Sequence, residues 1–267
     1  MNGHPVIETR QLVRRFGTFT AVDALTLSVE PGEIFGLLGR NGAGKSTVIK
    51  MLTTLLPPTS GSATVGGYDI VREPASVRRC IGYVPQALSA DGDLTGYENL
   101  LVFAKLYDIA RGERAERIRD SLAIMGLSDF ADKLVKTYSG GMIRRLEIAQ
   151  STLHRPRVLF LDEPTVGLDP VARVSVWEQV RRLQSQSGSA ILLTTHYLEE
   201  AEELCRRVAI LCRGRVAAMG TPAELKAAVG AGATFEDVFE RFTGADTMLP
   251  GAYDETSQTR RAAHRLG

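Results

Sequence analysis

The sequence has no apolar run that approaches the length of a membrane span, so no spanning helix is expected. Its first residues, Met1-Asn2-Gly3-His4-Pro5, contain no signal-peptide core, and a cytoplasmic protein is expected. Cysteine is scarce. Cys80, Cys205 and Cys212 show neither metal-ligand spacing nor even pairing, which argues for reduced, buried thiols. An excess of one charge is also missing. The net charge is +1, so no bulk basic field invites nucleic acid or anionic lipid. Lysine is rare, six residues among the 32 Lys and Arg, which reads as genomic bias and not as a site. No internal repeat is visible. What remains is ordinary for a globular chain: 44% apolar and 24% charged over 267 residues, enough for one sizeable domain or two small ones.

The first strong signal is Gly39-Arg40-Asn41-Gly42-Ala43-Gly44-Lys45-Ser46-Thr47, which reads G-x-x-x-x-G-K-[ST]. An apolar run, Ile34 to Leu38, precedes it and predicts a buried strand. A helical pattern, Ser46 to Leu55, follows. Glycines let backbone N–H groups curl round an anion, and the helix aims its positive end at the same place. Lys45 would reach the β- and γ-phosphates, and the Ser46 hydroxyl would take one Mg²⁺ position. From average residue usage the bare pattern arises by chance in roughly one chain in a hundred of this length. The flanking strand and helix make chance less adequate still.

Alternating apolar residues predict strands over Val6 to Phe16 and Ala24 to Val29. A hairpin is predicted over Ala63 to Tyr68, around Gly66-Gly67. A short helix, Pro74 to Arg79, leads to a strand at Cys80 to Val84. From Leu94 to Leu153 the pattern is helical. Thr95-Gly96-Tyr97-Glu98 is a capping box before a helix over Tyr97 to Tyr107. Arg111 to Met125 is amphipathic, and Ser139 is the predicted N-cap of a helix running to Leu153. Strand and helix then alternate: Val158 to Leu161, Pro170 to Gln186, Ala190 to Thr194, Leu198 to Cys205, Val208 to Leu211. A turn follows at Arg213-Gly214, then a second capping box at Thr221-Pro222-Ala223-Glu224 and a last helical patch over Phe235 to Phe242. Residues 245 to 267 are polar and patternless, and disorder is expected there. The whole reads as an α/β core with a mostly parallel sheet, split in sequence by a helical insert. Such sheets hold their sites beyond the carboxyl ends of the strands.

Two further elements carry chemistry. Val158 to Leu161 is an apolar strand that ends in Asp162-Glu163. Two carboxylates at a strand end are costly to bury unless a cation faces them. Beside a phosphate loop that cation is Mg²⁺, oriented by Asp162, with Glu163 left to polarise a water. Alone, the pair would read as solvated acids. The other element is Tyr138-Ser139-Gly140-Gly141-Met142, which opens a helix with a small-residue anion site. One γ-phosphate has no use for two such sites in one chain. The second makes sense if it serves the nucleotide of another copy.

With these motifs in this order, the chain resembles the ABC-type ATPases, the nucleotide-binding subunits of ABC transporters, over about residues 6 to 225. Gly39 to Thr47 matches Walker A, Gln86 the Q-loop, and Ser139-Gly140-Gly141 the signature. Val158 to Glu163 matches Walker B with its glutamate. Gly167-Leu168-Asp169 matches the D-loop, His196 the switch histidine, and Phe16 the aromatic that stacks on adenine. Two departures stand out. The signature reads Tyr-Ser-Gly-Gly-Met where the family usually has Leu-Ser-Gly-Gly-Gln, and Arg40 stands where Pro is common. The signature form, the run Thr194 to Glu202, and Thr234 to Phe239 look like the branch of drug-export subunits of the daunorubicin-resistance type.

The resemblance implies a P-loop NTPase (RecA-like) α/β fold with a mixed sheet core, an antiparallel β subdomain and an inserted helical subdomain. It divides the chain into core (6–86 and 154–225), insert (87–153), a C-terminal helical extension (226–244) and a tail (245–267). It implies ATP and Mg²⁺, the metal at Ser46, Gln86 and Asp162. Glu163 would be the base, aided by His196, Lys45 and Gln86. Ser139 and Gly141 would meet the γ-phosphate of a second copy, and Asp169 would lie at the shared site. Phe16 is favoured over Phe19 for the adenine. The implied partners are a second ABC subunit, as a homodimer, and a separate transmembrane permease, with no nucleic acid. The implied place is the cytoplasmic face of the membrane, and the implied work is export of a drug, lipid or other small molecule. The rival functions are a soluble ABC ATPase of translation or DNA repair and a small-molecule P-loop kinase. Arg144-Arg145 and Arg206-Arg207 read as solvated faces, and Trp177 as helix packing.

Overall fold

A computed structural model describes residues 4–244. The tail whose disorder was expected lies outside them. The chain opens with β1 (Ile7–Phe16), β2 (Phe19–Val29), β3 (Ile34–Leu38), α1 (Lys45–Leu52), β4 (Ser60–Val65) and β5 (Tyr68–Asp69). It continues through α2 (Pro74–Cys80), β6 (Ile81–Val84), α3 (Gly96–Leu106), α4 (Arg111–Ile124), α5 (Gly140–Thr152) and β7 (Val158–Asp162). The last part holds α6 (Pro170–Ser187), β8 (Ala190–Thr195), α7 (Leu198–Leu204), β9 (Arg207–Cys212), β10 (Arg215–Gly220), α8 (Pro222–Val229) and α9 (Phe235–Thr243).

Two sheets form. β2-β1-β4-β5 is antiparallel, and β10-β9-β3-β8-β7-β6 is parallel apart from its β10 edge. The continuous apolar runs of β3, β7 and β8 follow from burial on both faces. Successive side chains alternate between two cores. Phe35, Leu37, Phe160 and Leu192 pack with α1 and the antiparallel sheet. Leu38, Leu159, Leu161, Ile191 and Leu193 pack with α3, α4, α5 and α6. Because β3, β6, β7 and β8 run the same way, the chain segments that leave them reach one sheet edge.

Local chemistry explains most boundaries. Thr95 and Glu98 cap α3 reciprocally, as Thr221 and Glu224 cap α8. A third such box, Thr234 with Asp237 before α9, was not foreseen, because its acid is Asp and not Glu. α1 stops at Leu52, short of the expected Leu55. Thr53 caps it, Thr54 turns at φ 63°, and the N–H groups of Leu55 and Leu56 both return to Lys50 O. β10 was missed because it runs half exposed along the sheet edge, with Ala217 and Ala218 giving no apolar alternation.

Two surface readings are corrected. Arg144 is buried, Arg145 donates to Met125 O at 3.0 Å, and Arg207 grips Glu33 at 2.6 and 2.8 Å. Among the four arginines read as solvated, Arg206 alone is exposed. Adjacent arginines on a helix or strand point different ways, so a pair is not a face. The thiols are free, as expected, yet only Cys205 is buried, while Cys80 and Cys212 are half-buried.

His154, just past α5, joins the inserted helices to the sheet. Its ring stacks on Tyr107 at 3.9 Å, and Nε2 donates to Ile81 O at 2.9 Å. Burial lowers its pKa, partly offset by the bond to Ile81 O. The folded pKa lies below the unfolded value of about 6.5, so the neutral ring's stabilisation is complete above that pH and is lost as pH falls through the folded value. His154→Phe is expected to remove this part of the acid limb in thermal melts from pH 7.5 downward. An unchanged limb would count against the assignment.

Candidate functional site

The loop after β3 closes round its own lysine. Lys45 Nζ donates to Gly39 O at 2.7 Å and Arg40 O at 3.2 Å, and lies 3.0 Å from Oε1 of Glu163. Lys45 is 4% exposed and Glu163 6%. Gly44, the N-cap of α1, sits at φ 107°, and a Cβ there would lie 2.5 Å from Ala21 O. Both the angle and the contact demand glycine. No side chain caps α1, so the N–H groups of its first turn stay open to an anion. Arg40, Asn41 and Gly42 are exposed, Ala43 is buried, and Ser46 and Thr47 are half-buried at the helix start.

Three other segments meet this loop. At the end of β7, Asp162 Oδ1 accepts from Ser46 Oγ at 3.2 Å and from Thr194 Oγ1 at 2.6 Å. Glu163 turns at φ 49°, and its N–H donates to Thr194 Oγ1 at 2.9 Å and to Thr194 O at 3.2 Å. Gln86, beyond β6, donates to Oε2 of Glu163 at 3.4 Å. His196, beyond β8, places Nδ1 3.3 Å from that same oxygen without hydrogen-bond geometry, and the nitrogen is buried with no partner. Four stretches distant in sequence thus converge on one carboxylate. One of its oxygens faces a cation, the other an amide and an imidazole.

The donor set suits Mg²⁺. A hydroxyl (Ser46), a carboxylate (Asp162) and an amide (Gln86) are hard oxygen donors, few enough to leave places for water and phosphate oxygens. Among the described residues no group of three or more His, Cys, Asp or Glu could hold a metal.

Other singled-out residues stand apart from this cluster. Ser139 is exposed and caps α5, its Oγ accepting from Met142 N at 3.3 Å. Gly140 is exposed and Gly141 buried. No hydrogen bond or ion pair among the described residues links Ser139, Gly140 or Gly141 to Lys45 or Glu163. Asp169 caps α6, accepting from Ala172 N at 2.9 Å. Phe16 (47% exposed) and Phe19 (62%) are cross-strand neighbours at the β1–β2 turn, with the Arg14 guanidinium 4.6 Å above the Phe16 ring.

Some supporting residues carried no sequence signal. Trp177 packs in the core as expected, but its Nε1 also donates to Oε1 of the fully buried Glu200 at 2.9 Å. Thr165 donates to the same oxygen at 2.8 Å. Burial raises the Glu200 pKa, against the bonds from Thr195, Thr165 and Trp177. In the acidic run Glu199 to Glu203 nothing distinguishes it. Arg144 and Glu147 did have a signal, opposite charges three apart on one helix.

The chain is similar to known proteins over most of its length. The family model described as ABC transporter matches residues 22–166. The daunorubicin/doxorubicin resistance ATP-binding protein DrrA of Streptomyces peucetius is 49% identical over 232 residues, 86% of this chain and 70% of that protein. The linearmycin resistance ATP-binding protein LnrL of Bacillus subtilis is 40% identical over 84% of this chain and 72% of its own. A solved ATP-binding subunit of an ABC transporter superposes with a TM-score of 0.78 at 31% identity, over 90% of this chain and all of that one. Among the described residues no helix is long and apolar enough to cross a membrane. The chain belongs to the ABC transporter family, as an ATP-binding and ATP-hydrolysing subunit of the kind that works with a membrane permease.

Proposed function

We propose that two copies of this chain meet head to tail around two ATP molecules. Lys45 and Ser46 of one copy and Ser139 and Gly141 of the other would hold each triphosphate. The observation that carries this reading is the split site. The α5 N-terminus presents Ser139 to solvent, and no hydrogen bond or ion pair among the described residues joins it to the Lys45–Glu163 cluster of its own chain. Phosphate entry gives Lys45 an anion other than Glu163 and frees that carboxylate to take the proton of an attacking water. His196 and Gln86 hold water and γ-phosphate in line, and Asp169 lies at the shared seam. Phe16 takes the adenine, and the Arg14 guanidinium lies over the same ring at 4.6 Å. Ser46, Asp162 and Gln86 would hold Mg²⁺, which would neutralise phosphate charge.

Residues 6–86 and 154–225 act as the core, 87–153 as a moving insert, and 226–244 as an extension. Dimer closure and opening swing the insert against a separate transmembrane permease at the cytoplasmic face. Leu88, Val102 and Leu106 are exposed on that insert and offer it an apolar footing. The drug-resistance names of the relatives support export of a drug, lipid or similar small molecule.

Mixing two inactive variants tests the shared site. Lys45→Ala spoils one half. Ser139→Asp spoils the other by adding charge where phosphate would sit, while keeping an N-cap for α5. A heterodimer of the two retains one intact site. An equal mixture should recover about a quarter of parental ATPase, since half the dimers are mixed and each has one working site of two. A mixture no more active than its components would end the head-to-tail reading.

A further inference from the structure

Helix α5 buries more charge than packing requires. Arg144 is 2% exposed and heads the fully buried side chains in size. Its Nη1 donates to Pro85 O at 2.7 Å and its Nη2 to Gln86 O at 2.6 Å. Nη1 also meets Oε2 of Glu147, nearly one turn along the helix, at 3.0 Å. Glu147 turns its other oxygen to Ser89, accepting from the backbone N–H and, at 3.2 Å, from Oγ. Two side chains of one helix therefore hold the loop 85–89 at both ends, through three backbone groups and the Ser89 hydroxyl. An apolar pair of similar volume would usually pack as well or better than a buried ion pair. What apolar groups lack is direction. Charge-assisted bonds to carbonyls and an N–H fix where a loop lies, not only that it is covered.

The loop and the helix each lead to half of a site. The loop carries Gln86, whose side chain reaches Glu163 at 3.4 Å. The helix begins at Ser139–Gly141. We propose that Arg144 and Glu147 are positioning residues that make the Gln86 loop and α5 one rigid body. ATP arriving beside Gln86 in one site then sets where Ser139 and Gly141 meet the ATP of the second copy. The inference rests on the shared-site reading and names the side chains that transmit its coupling. A loop tied by four bonds to one helix cannot shift without carrying that helix along.

The test uses the full chain carrying Glu163→Gln, with and without Arg144→Met/Glu147→Leu. The double change removes both charges and leaves neither orphaned. ATP affinity of the isolated subunit is expected to change by less than about threefold. ATP-driven dimerisation, read by sedimentation with Mg²⁺, should weaken by about tenfold or more, within the usual range of coupling between sites. With Glu163 restored, kcat should fall by a similar factor and KM for ATP by little. A merely structural pair would lower the melting temperature and leave this split unchanged.

Parental dimerisation by the double variant overturns the proposal. So does loss of its ATP binding, because the pair would then support the subunit's own site and not its link to the next. Failure of the Glu163→Gln parent to dimerise removes the shared-site reading, and this inference with it. Should the double variant fail to fold, Ser89→Pro decides. It deletes the loop's N–H donor at an exposed position and should weaken dimerisation with ATP binding kept. Parental dimerisation by Ser89→Pro would then be the overturning result.

Discussion

Glu163→Gln is expected to bind ATP and lose turnover by on the order of 10²–10⁴-fold, the usual worth of a positioned general base. The amide cannot accept a proton from water, yet it keeps the shape of the carboxylate and an oxygen for Lys45. The bond now seen between Lys45 and Glu163, 3.0 Å with both groups buried, adds a second consequence. In the parent, Lys45 must leave a carboxylate before it can serve a phosphate. In the variant it leaves only a neutral amide, so ATP affinity should not fall and the ATP-held dimer should accumulate. Single-turnover hydrolysis and gel filtration in ATP with Mg²⁺ read both effects. Hydrolysis at the parental rate would mean that another group takes the proton.

Lys45→Ala is expected to lose ATP affinity by roughly 10- to 100-fold, the worth of a hydrogen bond to a charged group. It should also destabilise the nucleotide-free chain, because Glu163 would remain buried with no cation beside it. Breaking a buried pair from one side costs about 3–5 kcal/mol. The two effects separate in a double-mutant cycle. Lys45→Ala/Glu163→Gln should regain much of the lost stability in urea melts and none of the lost affinity. Retained ATP affinity in Lys45→Ala would undo the role given to the loop. A double variant no more stable than Lys45→Ala would mean that the observed pair carries little energy.

Both expectations draw on features that were legible at different levels. The phosphate loop could be read directly, since its glycines, lysine and flanking elements fall within twenty residues. The capping boxes at Thr95 and Thr221 were equally legible, for their bonds span three residues. The apolar runs of β3 and β7 announced a sheet covered on both faces. Gln86 and His196 had no local mark. A lone amide or imidazole in a loop has many ordinary uses, and motif order was what drew attention to each.

The sequence by itself determined the phosphate loop and most strands and helices, though not β10, because turn chemistry, capping and side-chain periodicity act over a few residues. Tertiary structure alone decided that Gln86, Glu163, Thr194 and His196 meet at one place, since that follows from strand order β3-β8-β7-β6 and parallel register. It alone decided that Arg144 faces inward to the loop while Arg206 faces water. The physical reason is range. A charge owes its burial to whatever the folded chain packs over it, and those neighbours lie about 60 residues away for Arg144.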